Sequence, residues 1–253
     1  MYNLKYSTNI FVKFSLLLIT VVLVMSFKSN DPCLNEVRAV FEKMNQAPQN
    51  GKIVYVPYSV KAVLNEKDKE EKNIESASDI EMFSSNKHSW ILSKQMNVYK
   101  DGEYTMTVLP DRKQIYLTDA VVEKDDNMFS KLKQLQDTLF NNCEKVLCVD
   151  AQGVGYDKTI ILFLNSKFSQ FLEMKKVVYY INSSEKILHR VYVEYAPEKQ
   201  YKSIDYVFGT ADYDYKKTNI SASVEQLLYV GKTVKQEYKG YQIIDNRKKS
   251  YKK

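Results

Sequence analysis

Apolar and polar positions change their spacing several times along this chain. Residues 14–27 form a nearly unbroken apolar block behind a lead that carries Lys5 and Lys13, and polar Lys28, Ser29, Asn30 and Asp31 follow. A basic lead, a short apolar block and a polar exit make up a signal peptide. The block is short for a membrane span, which needs roughly 20 apolar residues. Val24, Met25 and Ser26 offer cleavage after Ser26; an uncleaved anchor is the other reading. Cys33 lacks the flanking residues of a lipid attachment site, since Asn30 and Pro32 occupy the key positions.

Helical spacing comes next. Asp31 suits a helix cap and Pro32 the first helical position. Leu34, Val37, Phe41 and Met44 then fall on one face, which predicts a helix to about Gln46 that stops before Pro48 and Gly51. After Gly51 the period is two. Ile53 to Leu64 reads as a long strand, and Pro57 within it points to an edge strand or a bulge. The charged run 65–73 reads as an exposed loop.

A meander follows. Strands are predicted over 79–83, 88–96 with an extension to Lys100, 103–109 and 114–119. The turns between them lie at 84–87, at Asp101-Gly102 and at Pro110 to Lys113. A helix capped by Asp126 or Asn127 carries Met128, Leu132, Leu135 and Leu139 on one face and runs to about Phe140. Strands 145–151 and 158–165 form one hairpin, and 175–181 with 186–195 a second. In the last of these, Ile187, His189, Val191, Val193 and Tyr195 are expected on one face. A strand over 200–209, a helical turn in 223–230 and a short strand at 241–245 complete about ten strands.

Composition narrows the function classes. Tyr occurs 20 times and Phe 11 times, which suits half-buried pleated surfaces. The net charge of +6 comes from the lead and from 247–253; the body between is close to neutral. The basic tail therefore reads as a disordered terminus or as a contact with a membrane surface. Nucleic acid is disfavoured. Cys143 and Cys148 either close a small disulfide loop or remain two separate thiols. Only His88 and His189 are present, so a zinc site is disfavoured, and no cofactor or metal motif appears. The nucleophile, metalloprotease and phosphate-loop patterns are also missing, so an enzyme is not expected.

The order of elements resembles the LolA-like family of periplasmic lipoprotein carriers. An exported start, a helix and a long first strand are followed by Tyr99-Lys100-Asp101-Gly102, a strand over 104–109, the turn Pro110 to Lys113, and Gln114-Ile115-Tyr116-Leu117. The resemblance spans about 31–210. It implies a single domain over 27–246, mainly β with α+β character: a strongly curved antiparallel sheet, an incomplete β-barrel, wrapping one or two helices. It also implies a periplasmic carrier that shields acyl chains in an apolar cavity, with an acylated protein or a lipid as partner.

Period-two alternation nominates Ile80, Met82, Trp90, Leu92, Tyr104, Met106, Val108, Ile115 and Leu117 as the inward, ligand-lining face; the same residues would serve as core under the mid-chain helix. Met suits variable acyl chains because it is unbranched and polarizable. The function expected is non-catalytic binding of an acyl chain or other apolar ligand. The alternative is a structural or accessory envelope protein that uses the same scaffold to contact other envelope proteins.

Overall fold

The computed structural model describes residues 31–64, 75–120, 128–151, 153–196, 201–216 and 220–248. The export segment, the charged run 65–73, the caps expected at Asp126 or Asn127, and tail residues 249–253 lie outside them. No helix among the described residues is long and apolar enough to cross a membrane.

Helix α1 (Pro32–Gln49) opens the domain. The Asp31 side chain accepts from the Cys33 amide at 2.9 Å, as the sequence suggests. The helix continues through Pro48 instead of stopping before it, because Ala47 and Pro48 are both buried on its last turn. Strands β1 (Val54–Leu64), β2 (Glu75–Ser84), β3 (Ser89–Ser93), β4 (Asn97–Lys100), β5 (Tyr104–Leu109) and β6 (Gln114–Asp119) follow as a meander. Helix α2 (Met128–Asn141) precedes β7 (Cys143–Asp150) and β8 (Lys158–Leu164). Helix α3 (Ser166–Leu172) leads to β9 (Met174–Asn182), β10 (Ile187–Tyr195) and β11 (Tyr201–Phe208). Helix α4 (Val224–Leu228), the small pair β12 (Tyr229–Val230) and β13 (Thr233–Val234), and β14 (Gln242–Asp245) close the chain.

Twelve of the strands form one open sheet in the order β14-β6-β5-β4-β3-β2-β1-β11-β10-β9-β8-β7. The sheet is mixed, not wholly antiparallel as expected, because β14 returns parallel to β6. Strand β1 lies mid-sheet, which corrects the edge-strand expectation. Pro57 is tolerated there because it sits where β11 runs out. The β1–β11 register begins at Tyr58 opposite Phe208, and the Pro57 carbonyl accepts from the Gly209 amide at 2.8 Å, so the missing N–H faces the end of the ladder.

Residues directly opposite one another in a ladder share a face, so register shows which side each strand buries. On β1 and β2, Val56 lies opposite Met82, and both belong to a core under α1 and α2 with Ile160, Leu162, Val177, Tyr179 and Val193. The β2–β3 hairpin then pairs Met82 with Ile91 and Phe83 with Trp90. Trp90 is opposite Tyr99, Tyr99 opposite Met106, and Met106 opposite Leu117. Met106, Val108, Ile115 and Leu117 therefore point to the other side of the sheet. There they form a second core with Val224 and Leu228 of α4. The side of the sheet that is buried changes between β2 and β3.

The cysteine expectation is overturned. Cys148 is bonded to Cys33, with 6.1 Å between their Cα atoms. Cys143 stays outside any disulfide, and its buried thiol donates to the Phe140 carbonyl at 3.1 Å. Cys143 and Cys148 lie near opposite ends of β7. Five residues of extended chain span roughly 16 Å, far beyond the reach of a disulfide. The Cys33–Cys148 bond clamps the start of α1 onto β7.

Arg247, read from the sequence as part of the basic tail, is held in place. Arg247 makes ion pairs with Asp245 at 2.7 Å and Glu225 at 3.0 Å, and its guanidinium lies 4.8 Å from the centre of the Tyr104 ring.

Candidate functional site

Between α1, α2 and the sheet face they cover lies a cavity of about 360 Å³. This volume is within the range of small-molecule sites. Helix α1 contributes Phe41 and Met44; α2 contributes Leu132, Leu135, Gln136 and Leu139. Strand β2 gives Met82, β9 gives Met174, Val177 and Tyr179, and β10 gives Leu188, Val191, Val193 and Tyr195. Tyr206 and Phe208 of β11 complete the lining. Among the described residues the lining holds no carboxylate, lysine, arginine or histidine.

The sequence explains the placement. Strands β9 to β11 alternate, so Val177 and Tyr179, Val191 and Val193, and Tyr206 and Phe208 face the same way. A bulge between Leu188 and Arg190 shifts the register of β10. Leu188 thus joins the lining in place of Ile187 and His189, which the unbroken alternation expected there. Tyr179 sits at the centre. Its ring meets Phe41 of α1 edge-on at 6.4 Å and Phe140 of α2 at 6.3 Å. Burial pushes the Tyr179 phenol above its ordinary range; the phenols of Tyr195 and Tyr206 are raised chiefly by burial as well. All three therefore stay neutral at physiological pH.

Helix α2 lies against α1 like a cover. Its Phe129, Leu139 and Phe140 are buried. Ion pairs at the surface, half-buried Arg38 with Asp137 and exposed Lys133 with Glu42, both at 3.6 Å, join it to α1. Such pairs contribute little, roughly 0–1 kcal/mol each. Leu132 and Leu135 line the cavity and are also 36% and 52% exposed. They therefore mark its opening.

Of the nine residues that alternation nominated, Met82 lines this cavity. Met106, Val108, Ile115 and Leu117 are packed in the second core on the opposite side of the sheet, with Tyr104 against them. Trp90 shares that side, 5.4 Å from the Tyr99 ring, and Leu92, opposite Glu81, shares it too. Ile80 is opposite Tyr58 on the cavity side but does not reach the lining. The nine do not form one surface, because the parity of inward positions inverts at the β2–β3 hairpin.

Gln136 was missed. It is 2% exposed, and neither its Oε1 nor its Nε2 has a hydrogen-bond partner among the described residues. The spacing of Phe129, Gln136 and Phe140, seven and four residues apart on a helix, is the signal that would have found it.

A larger depression of about 670 Å³ lies beside α4, lined by Ser223, Glu225, Lys232 and Arg247 among others. It is shallow and polar, and its arginine is already paired. Tyr213 and Tyr215 are packed. Lys43 lies over the Tyr213 ring at 4.9 Å, and Tyr215 stacks on Tyr55 at 4.9 Å. Tyr55 donates to Glu81 at 2.9 Å. Its phenol is pushed up to about 12, first by burial and then by that carboxylate.

No family model and no curated protein sequence matches the chain. Among solved structures it is similar to an uncharacterized conserved protein from Thermus thermophilus, with a TM-score of 0.39 and 10% identity over 81% of this chain and 97% of that one. It is similar to a DUF1329 family protein from Desulfovibrio piger, with a TM-score of 0.35 and 8% identity over 74% of this chain and 96% of that one. A LolA superfamily protein from Nitrosomonas europaea is also similar, with a TM-score of 0.29 and 9% identity over 69% of this chain and 92% of that one.

Proposed function

We propose that this chain is an exported, non-catalytic protein that holds an acyl chain or similar apolar ligand between α1, α2 and the sheet. The observation that carries this is the cavity itself: about 360 Å³, with no formal charge among the described residues that line it, and open beside two exposed leucines. Each buried CH₂ of a ligand would contribute roughly 0.8 kcal/mol, so an acyl chain needs no polar motif to bind. A scaffold used only for protein contacts has no need of such a space. Export is supported by the lead sequence and by the Cys33–Cys148 bond, since disulfides persist in oxidising compartments. The partner is then a lipid or an acylated protein of the envelope, and the location is the periplasm.

Native mass spectrometry of protein purified from its own envelope is expected to show bound lipid, and the stripped protein should take up a fluorescent fatty acid. Val191→Phe should fill the cavity and reduce uptake at least tenfold while the fold persists. Recovery without lipid, together with no uptake by the stripped protein, would sink the reading.

A further inference from the structure

We infer that Gln136 is the polar anchor of the cavity, and that the ligand carries a neutral carbonyl bearing its own N–H or O–H, as in an acyl amide or a protonated acid. The inference rests on the apolar-ligand reading and adds to it the chemistry of the ligand's head. A carboxamide is both donor and acceptor. Here both ends are buried and without a partner among the described residues, in a residue that borders a cavity whose described lining is otherwise aliphatic and aromatic. Leaving such a group unsatisfied is costly, and a leucine or methionine at this helix position would avoid the cost. A bound group with one acceptor and one donor satisfies both ends at once. An ester satisfies only the Nε2 donor, and a hydrocarbon satisfies neither.

The position suits an anchor. Gln136 lies one turn of α2 after Leu132 and beside Leu135, the two exposed residues at the opening. A head group held there leaves the chain to run inward toward Met82, Tyr179 and Val193. Among the described residues no charged side chain lines the cavity, so an ionised carboxylate would find no counter-charge from them. This favours neutral heads.

The test compares three ligands of equal carbon number (a long-chain primary amide, the methyl ester and the alkane) on the stripped full-length protein and on Gln136→Leu. The wild type should bind the amide most tightly, about tenfold ahead of the alkane, since one net hydrogen bond is worth about that much, with the ester between. Gln136→Leu should erase that order, bind the alkane at least as well as the wild type, and melt higher when empty. A purely structural glutamine would instead give a lower melting temperature and weaken all three ligands alike. Equal wild-type affinity for the three would overturn the anchor and leave the apolar cavity standing. Failure of all three to bind would overturn both.

Discussion

The two sides of this sheet hold two kinds of interior. On one side, Met106, Val108, Ile115 and Leu117 of β5 and β6 are at most 2% exposed under Val224 and Leu228 of α4. Asp101 ties that cover down. Its carboxylate accepts from the Glu103 and Tyr104 amides in its own hairpin and from the Val224 amide at the start of α4, each at 2.7 Å. On the other side, two longer helices span a wider stretch of sheet and leave about 360 Å³ between themselves and the strands. Both sides use the same aliphatic and aromatic residues in the same alternation. What separates a packed core from a cavity is the cover. A five-residue helix with β14 beside it settles onto a few strands, whereas α1 and α2 share a core with β1, β2 and β7 to β10 and still leave a space over part of that stretch. The cavity side is also the side that carries a covalent clamp and an unpaired buried amide.

The clamp gives the largest expected effect. The Cys33–Cys148 bond closes a separation of 115 residues, and in the chain-entropy account a loop of that length contributes about 4–5 kcal/mol. Cys33→Ser, or reduction of the wild type, should lower the urea midpoint accordingly. In native-state hydrogen exchange the protection lost should lie mainly in α1 and β7 to β9, while β5 and β6 keep theirs. Equal loss on both sides would show that the two interiors open as one unit.

A matched pair of truncations sharpens the contrast, because each side has a buried methionine. Met106 is 0% exposed in the filled core, and Met82 is 5% exposed at the cavity. Met106→Ala should cost about 2–5 kcal/mol, as buried methionines do when a new void opens. Met82→Ala enlarges a space that already exists, so its cost should be about 2 kcal/mol or less. Only Met82→Ala should change uptake of an apolar ligand. Similar urea midpoints for the two variants would mean that the cavity side is packed as tightly as the other.

The switch of buried side at the β2–β3 hairpin also marks how far the sequence could be read. Helix α1 with its Asp31 cap, most of the meander, the Asp101-Gly102 turn and the short α4 were legible, because caps, turn residues and alternation act over a few neighbours; the hairpin that splits 88–100 into β3 and β4 was not, since alternation there reads as one strand. The mainly β, open architecture followed from them. The lining did not. Alternation fixes parity within a strand, but relative parity across Ser84 to His88 depends on the hairpin's geometry, and a slip of one residue sends Trp90 and Met106 to the far side. The bulge at His189 is the same failure inside one strand. The Cys33–Cys148 pairing was out of reach for another reason. It joins segments more than a hundred residues apart, and only the docking of α1 on β7 brings them together. Gln136 was missed although its spacing puts it with Phe129 and Phe140, because a polar residue on a helix is ordinarily solvated.

The smallest expected effect is an absence of change. The titratable groups in the cavity lining are the phenols of Tyr179, Tyr195 and Tyr206, each raised above its ordinary value chiefly by burial. A group whose folded-state pKa is raised contributes stability that is fully present below its unfolded value, near 10 for tyrosine, and lost as pH rises through the folded value. None of the described residues in the lining titrates between about pH 6 and 9, so uptake of a neutral apolar probe should be flat across that window. Above about pH 10 both uptake and thermal stability should fall, as the buried phenols come under growing pressure to ionise. The second interior borders raised tyrosines of its own, Tyr99 and Tyr238, so alkaline pH should weaken both sides of the sheet. Uptake that changed sharply between about pH 6 and 8 would place a titrating group at the cavity and contradict its uncharged lining.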